Sequence, residues 1–247
     1  MTCISVALAG TGSAINPSRG QVSLVLDLGG TPLVVDVGCQ APNVAERLGY
    51  RLDEVEFYVV THTHYDHVCG LPMVAFIKTF RSLEPGLTVY TTTSGAPYVE
   101  ELLSLAVAGK RVRYKVHGVA PGAQVGVGDA LLRFIEADHT IEALGVVVEY
   151  RGVKVAVSGD TRPTEWYRRE ATGAHLAVHE ATLPSTMAEE ARRTGHTTVG
   201  QAVEQVSGAE LSILYHLTHW SEAEALETAR KTSKILVVPD GTIVKIC

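Results

Sequence analysis

The chain has 247 residues, 46% of them hydrophobic and 19% charged, with 23 glycines, which excludes a disordered, collagenous or coiled-coil chain and a small scaffold that needs stapling. Its 21 Lys+Arg against 27 Asp+Glu leave a formal charge of −6, which excludes a strongly basic protein that holds nucleic acid by phosphate neutralisation alone. No uninterrupted apolar run reaches the roughly 18 residues of a membrane helix and no basic leader precedes the first apolar stretch, so a soluble, cytoplasmic protein without a membrane partner is expected.

Ile4 to Ala9, Val22 to Leu28 and Leu33 to Val37 read as strands, the last two joined at the Gly29-Gly30 turn. Pro42 to Leu48 reads as a helix with proline near its start and Gly49 just past its end, and Phe57 to Thr61 as a buried strand running into a histidine cluster. Leu71, Val74, Ala75 and Ile77 predict a helix over Gly70 to Phe80, and Ser94 as an N-cap with Gly109 behind predicts another over Ser94 to Ala108. Strands then recur near Val112 to Val116, Leu131 to Ala137, Leu144 to Tyr150, Val153 to Ser158, His175 to His179, Leu211 to Leu217, Ile235 to Val238 and Thr242 to Ile246. Helices are expected around Pro184 to Arg193, Thr198 to Val206 and Ser221 to Lys231. Two halves of similar make-up with no linker between them predict one α/β domain over residues 1–247, two packed sheets with helices outside, four layers in all. Cys3, Cys39, Cys69 and Cys247 form no C-x-x-C pair and read as buried free thiols.

The chemistry concentrates in THTHYDHVCG, where His62, His64, Asp66 and His67 follow directly on an apolar strand. Alternate residues of an extended segment share a side, so His62 and His64 can grip one ion while the following turn swings Asp66 and His67 toward a second. Further candidates stand at strand ends, which are rigid ledges on which distant side chains converge: His139, Asp160 in SGDT and His219 in LTHWS. Taken singly, Asp160 also suits an Asx turn and His219 a position beside a helix cap. Asp36 is either a carboxylate that orients a ligand histidine or a turn former. The glycines of GTGSAI do not open a dinucleotide fingerprint, because Ile15 holds the third glycine position and Pro17 follows.

These motifs, in this order, resemble the metallo-β-lactamase superfamily and within it the ribonuclease Z-like branch, over nearly the whole chain. LAGTGSAINPSRGQVS at 8–23, VDVGCQ at 35–40, THTHYDHVCGLP at 61–72, SGDT at 158–161, HEAT at 179–182, GHTT at 195–198 and LTHWS at 217–221 carry the likeness. The resemblance implies an αββα sandwich with two zinc ions, manganese or iron being other occupants: His62, His64 and His139 on one, Asp66, His67 and His219 on the other, Asp160 bridging. It also implies a proton donor made of Glu180 and His196, which with Asp66 are the expected catalytic residues, and a homodimer. A histidine held by a carboxylate keeps its proton at neutral pH, which suits that role, although Thr197 and Thr198 would also make GHTT a plain helix cap. His117, His175, His179 and His216 match no ligand position and are expected in the core or on the surface.

Two such ions, roughly 3.5 to 4 Å apart, lower the pKa of a shared water toward about 7 and clamp the oxygens of an in-line displacement. Their charge of +4 makes a positive site on an acidic chain and so attracts a phosphodiester. The reading is a zinc phosphodiesterase acting on a small, cyclic or RNA phosphodiester; a lactone, ester or aryl sulfate hydrolase on the same ions, and a metal-stabilised binding protein without activity, are the other classes. Transfer-RNA-processing relatives insert a long flexible arm between the positions of His139 and Asp160, here only 21 residues apart, and usually carry glycine where Tyr65 stands, so tRNA processing is not expected. KRVRYK at 110–115 suits either a nucleic-acid path or a protected edge strand.

Overall fold

The computed structural model describes residues 3–81, 84–105 and 112–247. In chain order the first part holds β1 (Ile4–Gly10), β2 (Ser23–Asp27), β3 (Pro32–Val35), α1 (Ala41–Arg47), β4 (Phe57–Val59), α2 (Tyr65–Val68), α3 (Leu71–Arg81), β5 (Leu87–Thr92), α4 (Ala96–Leu105) and β6 (Tyr114–Val119). Then come β7 (Gln124–Val127), β8 (Ala130–Ala137), β9 (Ala143–Tyr150), β10 (Val153–Val157), α5 (Glu165–Ala171), β11 (Leu176–Glu180), α6 (Ala188–Thr194), α7 (Val199–Val206), β12 (Leu211–Tyr215), α8 (Glu222–Arg230), β13 (Ile235–Leu236) and β14 (Thr242–Ile246). They form two seven-stranded sheets, ordered β14-β1-β2-β3-β4-β5-β6 and β13-β12-β11-β10-β9-β8-β7.

Alternation along each strand builds the four layers. On β1, Val6 and Leu8 point between the sheets and join Leu24, Leu26 and Val35 against Phe134, Val146, Val157 and Val178 of the second sheet. The intervening Ala7 and Ala9 point the other way, where their small size lets α1, α2 and α3 settle with Val44, Val68 and Leu71. On the far side of the second sheet Val147, Ala156 and Ala177 receive Tyr167 and Ala171 of α5 and Val206 of α7. The sandwich expected from the two-half pattern is thus present.

β3 to β6 run parallel, as do β10 to β13. The carboxyl ends of β4, β10 and β12 carry the segments His62–His67, Asp160 and His216, and in parallel sheets this is the end at which ligand sites form. β8 delivers His139, and the 21 residues from there to Asp160 are filled by the antiparallel pair β9 and β10.

Several elements depart from the sequence reading. β7 and α5 were not anticipated, and the helix expected from Pro184 splits into a 3-10 turn, Ser185–Met187, and α6. Ser94 does not cap α4; its backbone N–H and hydroxyl both donate to Glu142, and residues 106–108 of that predicted helix lie outside the described residues. Thr198 does cap α7, in a capping box with Gln201. Residues 110–111 of the basic stretch also lie outside, and the rest leads into β6, the edge of its sheet, which is the edge-strand reading.

The cysteines are not free thiols: Cys3 pairs with Cys247 and Cys39 with Cys69. Sheet register explains the first, since Ile4 faces Ile246 across β1 and β14 and the next residue outward on each strand is a cysteine. For the second, Val37 N–H donates to His67 O and Gly70 N–H to Val37 O, which lays the loop after β3 along α2. Sequence spacing across 244 and 30 residues carries neither signal.

Candidate metal and active site

The strand Phe57–Val59 is buried between neighbours, so the chain leaving it is fixed. His62, at 0% exposure, and His64 follow it, and α2 then turns Asp66 and His67 inward. Asp36, in a left-handed backbone conformation with φ 56°, takes the Thr61 backbone N–H at 2.8 Å and lies 2.8 Å from His67 Nδ1. It is therefore the orienting carboxylate. Left-handed backbone at a residue other than glycine marks a position held by its surroundings, and His216 shows the same feature with φ 55°.

The hydrogen bonds settle which ring nitrogens face inward. The Thr182 hydroxyl donates to Glu180 Oε2 at 2.5 Å and so accepts from His216 Nδ1 at 2.8 Å. The Thr61 hydroxyl donates to Asp36 at 2.9 Å and accepts from His62 Nδ1 at 3.2 Å. His139 Nδ1 donates to Gly195 O at 2.7 Å, an approach that needs glycine, since a Cβ on Gly195 would sit 2.7 Å from that nitrogen. His62, His67, His139 and His216 thus all turn Nε2 toward one centre.

Around that centre His64 Nδ1 lies 3.1 Å from His62 Nε2 and 3.0 Å from His139 Nε2. His216 Nε2 lies 3.4 Å from His67 Nε2 and 3.2 Å from Asp66 Oδ2. Asp160 Oδ2 stands between the two groups, 3.3 Å from His67, 3.4 Å from His216 and 3.8 Å from His62. Ligands at 2.0–2.1 Å around a tetrahedral ion are about 3.3 Å apart, so both groups have the spacing of a coordination shell. Three imidazole nitrogens facing one point exceed what one shared proton can satisfy, and Asp160 Oδ1 is buried with no hydrogen-bond partner. The residues fit a pair of divalent cations.

Charge agrees. Burial holds His62 well below the ordinary histidine pKa, and also lowers His64 and His139, keeping them neutral as ligation requires. Burial opposes ionisation of Asp160, yet the imidazoles of His216 and His67 outweigh it and hold the carboxylate ionised, well below its usual range. Burial also pulls His67 down, but Asp160 and Asp36 outweigh it and raise that imidazole well above its usual value. The proton so held on Nε2 is the one a cation would displace.

Beside this centre Glu180, fully buried, accepts from His196 Nδ1 at 3.0 Å, and its second oxygen takes the backbone N–H groups of Thr182 and Thr197. Burial lowers the His196 pKa, but the charge and hydrogen bond of Glu180 prevail and carry it up to about 9. His196 lines a cavity of about 580 Å³ together with Asp66, Asp160 and His216.

The sequence reading misplaced one residue. His219 is exposed, rests on the Trp220 ring at 4.4 Å, and belongs to no donor group among the described residues, whereas His216, assigned there to the core or surface, stands in the cluster. The cause is strand length: β12 ends at Tyr215, so His216 is the first residue off its carboxyl end, while a strand extended to Leu217 hides it and promotes His219. Beyond it the chain turns away, tied by the Thr218 hydroxyl donating to Thr182 O at 2.7 Å. His117 stacks on Tyr90, His175 accepts from Lys154 N–H, and His179 packs on Tyr167, all away from the centre.

Residues 33–220 match the family model described as beta-lactamase superfamily domain. A ribonuclease Z of Methanothermobacter thermautotrophicus is 26% identical over 96% of this chain and 94% of its own length. Among solved structures, the metallo-beta-lactamase fold protein YhfI from Bacillus subtilis superposes with a TM-score of 0.85 at 16% identity, covering 98% of this chain and 99% of that one. Human tRNase Z, short form, superposes with a TM-score of 0.82 at 20% identity, covering 98% and 99%. These likenesses give no support to the expectation drawn from the missing arm that tRNA is not a substrate. The order of motifs, the two packed sheets and the match over 33–220 place this chain in the metallo-β-lactamase superfamily, on its ribonuclease Z-like branch, as a metal-dependent hydrolase.

Proposed function

We propose that the protein is a dinuclear zinc phosphodiesterase acting on small, cyclic or RNA phosphodiesters. The observation that carries this reading is Asp160 Oδ2, placed within 3.8 Å of His62, His67 and His216, with His64, His139 and Asp66 completing the two groups. His216 thereby takes the ligand role first given to His219. Two bound cations would supply Lewis acidity and an activated water for attack on phosphorus.

The chain's own residues do the rest. Asp66, whose Oδ2 also receives the Ala14 N–H at 2.9 Å, serves in this reading as both ligand and catalytic carboxylate. Asp36, Thr182 and Gly195 O keep the imidazoles turned so that Nε2 faces inward. Glu180 holds His196 with its proton on Nδ1 at the cavity wall, from which the Nε2–H can protonate a departing alkoxide. Manganese or iron suits the same donor set, and a homodimer belongs to the proposal on resemblance alone.

Metal analysis after reconstitution, with a panel of phosphodiester, lactone, aryl sulfate and tRNA precursor, tests the reading. About two ions per chain and phosphodiester turnover are expected. One ion or none with activity retained removes the dinuclear centre, a lactone or sulfate preferred over every phosphodiester replaces the substrate class, and a monomer in sedimentation removes the dimer alone.

A further inference from the structure

The cavity over the donor cluster has two unlike walls. Ala14 N–H donates to Asp66 Oδ2, Asp66 Oδ2 lies 3.2 Å from His216 Nε2, and the His216 ring faces the His196 ring at 5.6 Å. These contacts run in the order Ala14, Asp66, His216, His196, with Ala14 and His196 at the two ends of the series. His196, as proton donor, places the leaving group on its own side.

At the Ala14 end the cavity is walled where the loop after β1 meets the loop after β12. The two are tied together, with Ser13 N–H donating to Leu217 O at 3.1 Å and Asn16 Nδ2 donating to the same oxygen at 2.9 Å. On this wall Ile15 is 54% and Trp220 50% exposed, and the His219 ring lies 4.4 Å from the Trp220 ring. Large apolar side chains left wet beside a polar centre mark a surface that gains when something apolar covers it. Ser13 Oγ is buried, has no hydrogen-bond partner and belongs to the cavity lining, so the wall also offers one polar contact. No lysine or arginine is among the described residues that line the cavity, while Glu190 is, so nothing there neutralises a second anionic group.

We propose that this wall is the subsite for the group that stays on phosphorus, and that it selects an uncharged aromatic group, stacked on Trp220 against Ile15 with the Ser13 hydroxyl bonding a polar atom near the ester. The selection rests on the phosphodiesterase reading and adds a substrate class to it. Trp220 and Ile15 act on which diester binds, the ions act on every diester, and His196 acts where the leaving group needs a proton.

Three p-nitrophenyl phosphodiesters with one leaving group separate the possibilities: the methyl ester, the benzyl ester, and the 3-carboxypropyl ester as an anionic chain. Stacking on one aromatic side chain is worth roughly tenfold, so kcat/KM for benzyl is expected about 10-fold above methyl, mostly in KM, with 3-carboxypropyl no better than methyl. In Trp220→Ala the benzyl-to-methyl ratio should fall close to 1, and Trp220→Phe should restore most of it. Tryptophan fluorescence in a Trp166→Phe background should report dibenzyl phosphate binding about 10-fold more tightly than dimethyl phosphate. Equal rates for methyl and benzyl, a 3-carboxypropyl ester matching benzyl, or a ratio that survives Trp220→Ala overturns the subsite and leaves the phosphodiesterase standing. Inertness of all three esters in the metal-loaded protein removes the phosphodiesterase and the subsite with it.

Discussion

Replacing His216 and His219 one at a time distinguishes the two histidines by metal content. His216 Nε2 lies beside Asp66, His67 and Asp160, so in the proposed dinuclear centre it would supply one of about four donors to the second ion. Four-ligand zinc sites bind with an apparent free energy of about 10–16 kcal/mol, or about 2.5–4 kcal/mol per donor. At 1.4 kcal/mol per tenfold, losing this donor should weaken the second ion about 10²- to 10³-fold. His216→Asn is the informative variant, because asparagine tolerates the left-handed backbone at this position and removes the imidazole without straining the chain. Elemental analysis after dialysis against a chelator of graded strength should show about one ion retained in His216→Asn and two in His219→Ala. The exposed ring of His219 has no donor neighbour in the cluster, so its loss should leave metal content unchanged. Two ions held by His216→Asn at wild-type affinity, or one lost from His219→Ala, would refute the assignment.

On a nitrophenyl diester, whose phenolate departs unaided, His196→Ala should lose little, and on an alkyl leaving group roughly 10²- to 10⁴-fold; Glu180→Gln should follow more weakly and the double variant should be no worse than His196→Ala, as a rate comparison in metal-loaded protein will show. Reduction of both disulfides under native conditions should lower stability by about 2–4 kcal/mol for each bond, read as a fall in urea midpoint against the oxidised protein. Glu170 accepts both arms of Arg133 at 2.6 and 2.8 Å and its pKa is carried down to about 2, chiefly by that pair. A carboxylate held lower in the folded than in the unfolded chain stabilises above the unfolded pKa and loses that stabilisation as pH falls from about 4.5 to 2. At a partly solvated site this is about 1 kcal/mol, and urea titrations in which Glu170→Gln keeps the wild-type acid slope over that window would contradict it.

The sequence made the layers legible because hydrophobic periodicity and turn residues are local, and burial follows them. Val6 and Leu8 against Ala7 and Ala9 already separate a sheet-facing side from a helix-facing one. The cluster from His62 to His67 was legible because four ligating side chains within six residues follow a buried strand. What escaped was set by long-range contact. The cysteine pairs depend on sheet register and on a loop laid along α2, and His216 on where β12 stops, an end fixed by pairing with β11 and β13 rather than by the composition of residues 216–218. Asp36 carried two readings until its distance to His67 chose one.

The donors come in unequal shares from the two sheets: His62, His64, Asp66 and His67 follow β4 of the first, and His139, Asp160 and His216 follow strands of the second. Neither sheet alone can complete a coordination shell. The first sheet, moreover, is not finished until β14 returns from the far end of the chain to pair with β1. Tight cation uptake during refolding should therefore come after both sheets have closed and docked, which makes it a clock for the slowest, most non-local step of the chain's assembly. Cations added to the unfolded chain would bind only transiently to the His62–His67 segment, and the rate of tight capture, followed by a metal indicator in stopped flow, would track the appearance of the sandwich itself.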